Sequence, residues 1–297
     1  MILLMNKIII KIKSFIILLR FSLNRREKTE VNDFSFIVFS KDRPMQLDAL
    51  LKSLFHYTKG NFKIHVVYAV TDKEYAKGYK QVKKEFLGLP VSFIMEKSFK
   101  KDLNTIVGNI QIGRVFFLVD DIIFKAPLNL EELKGVNSNK EIFSLRHSLF
   151  LNYSYVVNKT QKLPDFLSGT KDLVWKWEKG ELDWNYPLSV DGHLFNLSDV
   201  KFWVKWLDYR SPNTFEHALQ LFKKHYDGYL GKSYRHSVVF NNPCNKVQSD
   251  INNIHGNVHQ LELLNKWFEG YRIDFLSYEG LENRSVHEER ELKLLTK

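Results

Sequence analysis

Cysteine is almost absent from the chain, since Cys244 is the only one among 297 residues. One thiol excludes an intramolecular disulfide and any metal site built from several cysteines. Internal repeats and low-complexity linkers are also missing. We therefore expect one main domain, and the lack of disulfides is typical of a reducing, cytoplasmic setting.

Long uncharged apolar runs are missing too. A membrane-spanning helix needs about 20 consecutive apolar residues, whereas Lys7, Lys11 and Lys13 interrupt the apolar N-terminal segment. This segment lacks a small-residue cleavage site, which argues against a secretory signal. Two interpretations stay open: an amphipathic helix lying on an anionic membrane surface, or a terminal helix packed on the domain.

The formal net charge of +10 at pH 7 is concentrated at the N-terminus. Residues 1–30 contain seven Lys or Arg residues against two Glu, which gives +5. A basic balance suits nucleic acid, anionic lipid or a phosphorylated small molecule. No helix-turn-helix, zinc-finger or RNA-binding aromatic signature accompanies it, so we expect no nucleic-acid partner.

Strand and helix patterns alternate in the first half of the chain. Four apolar runs are typical of buried strands: 34–40, 62–70, 91–95 and 114–119. Helical spacing of apolar residues separates them. This order implies right-handed βαβ units and a Rossmann-like, mixed, mostly parallel α/β sheet flanked by helices. Beyond it we expect strands at 141–147 and 153–157, and helices at 198–209, 213–225 and 258–269.

Polar side chains follow the predicted strands. They are Ser40, Lys41 and Arg43 after the first, Asp72 after the second, Lys101 in the helix after the third, and Asp120 with Asp121 after the fourth. Ligands of open α/β sheets bind beyond the carboxyl ends of the strands. Two adjacent carboxylates beside an apolar run are costly to desolvate unless a cation or donor compensates them. A divalent cation with oxygen ligands is one explanation, and a helix cap or solvated turn is the other.

Two stretches resemble a known family. SFIVFSKDRPMQLDALLKSL (35–54) is similar to the opening of GT-A-type, family 2-like bacterial glycosyltransferases, and FFLVDDIIF (116–124) resembles their DxD-type signature. The likeness covers roughly residues 34–150. Farther on, WNYPLSVDGHLF and SPNTFEHALQ are similar to acceptor-side segments. The chain departs from the family in having two adjacent aspartates rather than a strict Asp-x-Asp, which leaves open which of them holds the metal.

The resemblance implies a GT-A fold and transfer of a sugar from a nucleotide-diphosphate donor to a hydroxyl acceptor, in cell-surface polysaccharide or glycan synthesis. It implies Mn²⁺ or Mg²⁺ on Asp121, with Asp120 on the ribose side or sharing the metal, and His255 as a further contact. The expected nucleotide and diphosphate contacts are Ser40, Lys41, Arg43, Asp72, Lys101 and Asp120. The expected acceptor contacts are Trp184, Tyr186 and His193.

An inverting transfer needs a base that takes the proton of the acceptor hydroxyl. Asp191 is the first candidate and Glu216 the second, although Asp191 before Gly192 also suits a plain turn. We expect the nearby diphosphate to raise the pKa of Asp191. We expect a helix N-terminus to lower the pKa of Glu216.

The predicted organisation is a basic amphipathic segment at 1–30, a GT-A catalytic domain at 31–255 and a helical extension at 256–297 with a solvated charged end. We expect a cytoplasmic location, with contact to the inner membrane face as an open alternative. Two other functions stay open. A sugar-phosphate nucleotidyltransferase would normally have a Gly-rich loop after the first strand, which is missing here. A carbohydrate-binding protein on the same fold would bind no nucleotide with a metal.

Overall fold

The computed structural model describes residues 2–24, 33–111, 113–245 and 258–296. In this part of the chain eight strands form one main sheet. In chain order they are β1 Phe34–Lys41, β2 Phe62–Ala69, β3 Val91–Met95, β4 Arg114–Val119, β5 Glu141–Ser144, β6 Leu173–Lys176, β7 His193–Asn196 and β8 Leu230–Ser233. The four strands predicted between 34 and 119 are thus confirmed to within one residue at either end.

The order of strands across the sheet is β6-β8-β5-β7-β4-β1-β2-β3. Strand β1 lies between β2 and β4 and runs parallel to both, and β3 is parallel to β2. Strand β7 is antiparallel to β4 and β5, while β6 is antiparallel to β8. The prediction of a mixed, mostly parallel sheet is confirmed.

Helices cover both faces of the sheet. Their bounds are α1 Ile2–Asn24, α2 Pro44–Tyr57, α3 Lys73–Glu85, α4 Phe99–Asn109, α5 Leu130–Leu133, α6 Leu197–Trp206, α7 Pro212–Leu219 and α8 Gln260–Phe268. Alternate side chains of β1 point to opposite faces, so Phe36 packs with the core under α2, α3 and α8. Phe39 packs with the core under α4, α6 and α7. The result is a three-layer α/β/α arrangement.

Two helix starts follow directly from the sequence. Pro44 is the first residue of α2, where its missing N–H costs nothing. Ser211 forms a capping box with Thr214 at the start of α7. The helix predicted at 213–225 ends early as an α-helix, since it continues from Gln220 to Tyr226 as a 3₁₀ helix.

Two expectations for the second half are wrong. The run predicted as a strand at 153–157 adds nothing to the main sheet, because only Tyr153–Ser154 is extended and it pairs with Lys159–Thr160 in a hairpin. The charged C-terminal stretch is not a solvated tail, since Asn283, Ser285 and Val286 are buried. The proposed division at 1–30, 31–255 and 256–297 remains a prediction.

The N-terminal segment forms the 23-residue helix α1. Phe21, near its end, is buried against Phe202 and Phe222, with ring centroids 5.1 and 4.7 Å away. Within the described ranges no helix is both long enough and apolar enough to cross a membrane.

Candidate active site

A cavity of about 810 Å³ opens at the carboxyl ends of β1, β2 and β4. Its size is in the usual range for a small-molecule site. Eight residues expected from the sequence to be functional line it: Ser40, Lys41, Arg43, Asp120, Asp121, Tyr186, Asp191 and Glu216. Five of them come from the strand-end argument, and Tyr186, Asp191 and Glu216 come from the later segments, so the cavity brings together residues more than 170 positions apart.

The carboxylate of Asp120 is surrounded by donors from the loop after β1. Its Oδ2 accepts hydrogen bonds from the Ser40 hydroxyl at 2.8 Å and from the Lys41 backbone N–H at 3.1 Å. Its Oδ1 accepts from Arg43 Nη1 at 2.9 Å. These three donors offset the cost of desolvating a carboxylate that is only 4% exposed. Asp120 thus joins the ends of β1 and β4.

Arg43 lies buried between the two adjacent aspartates. Its Nη1 is 2.9 Å from Asp120 and 3.3 Å from Asp121, and its Nη2 donates to the backbone oxygen of Asn245. Burial acts to lower the pKa of Arg43, but the charges of the two aspartates outweigh it and raise the pKa. Both terminal nitrogens donate to protein oxygens, so Lys41, whose side chain is exposed at the cavity, is the better placed cation for a diphosphate.

Asp121 is compensated less well than Asp120. Its hydrogen bonds to Arg43 Nη1 and Asn241 Nδ2 are both 3.3 Å long, and 15% of its side chain is exposed. Burial raises the pKa of Asp121 to about 6, the charges of Asp120 and Asp191 add to the rise, and Arg43 opposes it. Asp121 therefore presents to the cavity a carboxylate whose negative charge its protein neighbours offset only in part.

The side chains around Asp121 supply only part of a binding site for Mg²⁺ or Mn²⁺. No group of three His, Cys, Asp or Glu side chains in the described ranges is arranged to hold a metal ion. Asp121 offers one oxygen ligand, and Mg²⁺ commonly takes one or two carboxylates and completes its shell with water and substrate phosphates. His255, the other expected contact, lies outside the described residues.

Asp191 lies in the same cavity close to Asp121, since Asn241 forms a hydrogen bond with each carboxylate, and His287 and Arg146 flank it. Its Oδ2 is 3.2 Å from His287 Nε2 and 3.4 Å from Arg146 Nη1. Burial would raise the pKa of Asp191, but the hydrogen bond and charge of His287, with Arg146 and Asn241, lower it. His287, Arg146 and Asn241 thus decide the direction of the shift in the protein alone, and the rise expected from a nearby diphosphate stays a prediction.

The pKa of Glu216 is shifted in the opposite direction to that of Asp191. Its Oε1 accepts a hydrogen bond from Val190 N at 3.3 Å. Burial raises the pKa of Glu216 to about 7, and the charge of Asp191 adds to the rise while Arg146 opposes it. The expected lowering by a helix N-terminus is wrong, since Glu216 is the fifth residue of α7 and the loss of hydration at its half-buried carboxyl group outweighs any effect of the helix end. Within the same cavity the pKa of Asp191 is thus lowered and the pKa of Glu216 is raised.

Two of the three expected acceptor contacts belong to the core instead. Trp184 is fully buried and donates from Nε1 to the backbone oxygen of Leu151 at 3.0 Å. His193 is also fully buried, with Nδ1 2.8 Å from the oxygen of Pro187. Neither ring reaches the cavity, so their role is packing. Tyr186 lines the cavity, as expected for an acceptor contact.

Two of the expected nucleotide contacts lie outside the cavity. Asp72 caps α3, since its Oδ1 accepts from the backbone N–H groups of Glu74 and Tyr75. Lys101 is on the exposed side of α4. Asp72 is used as the cap of its own helix, and Lys101, the third residue of α4, is on the solvent side of that helix rather than toward the cavity.

Among the cavity residues that sequence reasoning missed are three that contact Asp191: Arg146, Asn241 and His287. Arg146 follows β5, so the strand-end rule applied to β5 would have found it. Asn241 and His287 form an isolated parallel bridge that brings the C-terminal part of the chain to the cavity. A contact between segments so far apart leaves no periodic pattern in the sequence.

Comparisons with known proteins give a limited match. No protein-family model matches the chain. The bifunctional glycosyltransferase pgtA of Dictyostelium discoideum is 28% identical over 195 residues, which cover 58% of this chain and 25% of that protein. The chain therefore spans about a quarter of the length of this curated relative.

Solved structures of similar shape include S. aureus TarS, with a TM-score of 0.48 and 15% identity over 70% of this chain and 36% of that one. TarS 1–349 in complex with UDP-GlcNAc has a TM-score of 0.45 and 16% identity, over 70% and 57% of the two chains.

Proposed function

We propose that this protein is a glycosyltransferase that moves a sugar from a nucleotide-diphosphate donor to a hydroxyl acceptor. The observation that carries the proposal is the cavity at the carboxyl ends of β1 and β4, which is lined by Lys41 and Asp121 and by the carboxylates Asp191 and Glu216. The 28% identity with a bifunctional glycosyltransferase supports it. A role in cell-surface polysaccharide or glycan synthesis belongs to the same proposal.

The donor side holds the diphosphate by charge. The Lys41 ammonium faces the phosphates, while Asp120 and Arg43 fix the loop that carries it. We assign Mg²⁺ or Mn²⁺ to Asp121, where the ion would neutralise the leaving diphosphate. Because Asp120 already accepts three hydrogen bonds from the protein, its part is to shape the loop.

The acceptor side supplies the base. A general base works best when its pKa lies near the working pH, and that of Glu216 is about 7. The pKa of Asp191 is lowered by its contacts with His287, Arg146 and Asn241, and its charge helps to raise the pKa of Glu216. We therefore place Glu216 first as the base and Asp191 second, which reverses the order drawn from the sequence.

Calorimetry with UDP and GDP, each with and without Mn²⁺, tests the donor site. We expect binding that Mn²⁺ strengthens, and we expect Asp121→Asn to remove the Mn²⁺ dependence. Asp165→Asn, an exposed surface variant, is the matched control. Unchanged Mn²⁺ dependence in Asp121→Asn would contradict the metal assignment. Failure of the wild-type protein to bind either nucleotide would favour a carbohydrate-binding protein instead.

A screen of nucleotide-sugar donors that detects released nucleoside diphosphate tests the reaction itself. Release that depends on an added hydroxyl acceptor is the expected result. Pyrophosphate released from a nucleoside triphosphate and a sugar phosphate would point to a nucleotidyltransferase. The loop of Ser40 to Arg43 contains no glycine, which disfavours that second function.

Peripheral contact with an anionic membrane is also part of the proposal, and helix α1 is its basis. Ile9, Ile12, Ile16, Leu19 and Leu23 recur at intervals of three and four, and each is 42–74% exposed. Such spacing makes one apolar stripe along a helix. Lys11 and Lys13 lie beside it, and a helix with apolar and basic faces binds in the plane of an anionic bilayer surface.

Co-sedimentation with phosphatidylcholine vesicles, with and without phosphatidylglycerol, tests this contact. Wild-type protein should pellet with the anionic vesicles, and less so at high salt. A variant carrying Ile12→Asp and Ile16→Asp should stay in the supernatant. Leu87→Asp changes a side chain that is 87% exposed elsewhere and serves as the control. Equal binding by the double variant and the control would refute the role of α1.

A further inference from the structure

Residues 284–291, which we name the C-terminal strap, run alongside residues 241 and 242. Asn241 N donates to Val286 O at 3.0 Å, and Glu288 N donates to Asn241 O at 2.9 Å. Asn242 exchanges two hydrogen bonds with Arg290, at 2.9 and 3.0 Å. The strap is therefore paired on this side like the edge of a small sheet.

The strap is also fixed on its other side, by the hairpin that lines the cavity. Tyr153 N donates to Arg284 O at 3.1 Å, and Tyr155 N donates to Ser285 Oγ at 3.0 Å. Ser285 and the following Val286 are each 1% exposed. Contacts on both sides hold the position of the strap, and with it the residue that follows Val286.

That residue, His287, points to Asp191. Its Nε2 is 3.2 Å from Asp191 Oδ2, and 23% of its side chain is exposed, at the cavity. Arg146 Nη1, which contacts the same oxygen, is farther away at 3.4 Å. His287 is therefore the nearer of these two partners of Asp191 Oδ2, and Asn241 is a third partner of the carboxylate.

We propose that His287 is a positioning residue for Asp191, and that the C-terminal strap is part of the active site. For its catalytic consequence the inference rests on the proposed glycosyltransferase function. Asp191 lies beside Glu216 in the cavity, so a rotated Asp191 would disturb the base and the acceptor pose together. Misplacement of a catalytic arrangement by about 1 Å can cost on the order of 10²-fold in rate.

Two variants of His287 and one control variant test whether His287 affects the rate of sugar transfer. His287→Ala should lower kcat by about 10²-fold and leave UDP and GDP affinity within about twofold, since Lys41 and Asp121 are untouched. His287→Gln keeps an N–H donor and should recover most of the loss. Added imidazole should partly rescue His287→Ala. His236→Ala, which removes a histidine whose side chain is 65% exposed and which does not line the cavity, is the control.

Unchanged turnover in His287→Ala would overturn the proposal. So would a His287→Gln variant that is as slow as His287→Ala and also loses thermal stability, because that pattern indicates a purely structural role.

An NMR measurement separates this inference from the proposed function. In protein labelled with ¹⁵N-histidine, Asp191→Asn should shift the Nε2 resonance of His287, which His287→Gln identifies by its disappearance. A shift in a protein that binds no nucleotide would leave the pairing standing and reject the glycosyltransferase proposal alone. An unmoved resonance would overturn the pairing whatever the activity.

Discussion

Replacing Glu216 by Gln should stabilise the protein at alkaline pH and hardly affect it at acidic pH. Burial raises the pKa of Glu216 from its usual 4.5 to about 7. A carboxyl group whose pKa is higher in the folded state contributes stability below its unfolded pKa and loses it as pH rises through the folded value. The stabilising contribution of Glu216 is therefore lost between about pH 4.5 and about pH 7.

The size of the stabilisation by Glu216→Gln follows from the pKa shift of Glu216. One pKa unit corresponds to about 1.4 kcal/mol, so ionising Glu216 in the folded protein costs on the order of 3 kcal/mol more than in the unfolded chain. Gln has the shape of the protonated acid and can still accept the hydrogen bond from Val190 N. For a chain of 297 residues, with an unfolding entropy of roughly 0.6 kcal/mol/K, the gain is about 5 °C in Tm.

Thermal unfolding of wild type and Glu216→Gln should be followed at pH 5, 6, 7 and 8. The two proteins should melt together at pH 5, and the variant should melt higher by pH 8. Glu178→Gln changes an exposed glutamate and should give the same small difference at every pH. A Tm difference for Glu216→Gln that is independent of pH, or that has the opposite sign at pH 8, would refute the reasoning.

Three further predictions concern the site and the core. Asp120→Ala should lower the free energy of unfolding by about 3–5 kcal/mol, since it removes the nearer partner of the buried Arg43; urea unfolding measures this, and a loss under 1 kcal/mol would contradict it. Gly231→Ala should cost about 1–3 kcal/mol, because the new Cβ would lie 2.1 Å from the buried Trp175 ring; a Tm equal to that of wild type would disprove the close contact. If Glu216 is the base, kcat/KM should fall as the pH drops below about 7, and a flat pH profile between 5.5 and 8 would exclude it.

The first half of the fold was predictable mainly because its central strands β1 and β4 are buried on both faces. A run such as Phe34 to Lys41 has almost no exposed residue, so its composition alone marks it as a central strand. The later strands are four residues long, and β6 lies in a stretch rich in Trp and Gly that shows no period. Its place depends on Gly231 of β8, whose missing side chain makes room for Trp175. No local pattern records such a contact.

The candidate site was predictable in its location but less so in its electrostatics. The strand-end rule found the donor side because each loop follows directly from a recognisable strand. The signs of the pKa shifts on the acceptor side depend on Arg146 and His287 against Asp191, and on the depth at which Glu216 is buried. The prediction for Trp184 failed for a related reason: it was expected to contact the acceptor, but its ring is buried in the core.

The C-terminal strap has a consequence for how the protein becomes active during synthesis. The parallel strands β1, β2, β3 and β4 are complete by residue 119 and can pair while the chain is still growing. Asp191 acquires its His287 contact only after nearly a hundred more residues have been made, a delay of roughly 5–20 s at ordinary translation speeds. Until then the nascent chain has Asp120 and Arg43 at the ends of β1 and β4, while Asp191 lacks one of its partners. Under the proposed function, a chain that stops before His287 would keep Lys41 and Asp121 on the donor side but would hold Asp191 less firmly.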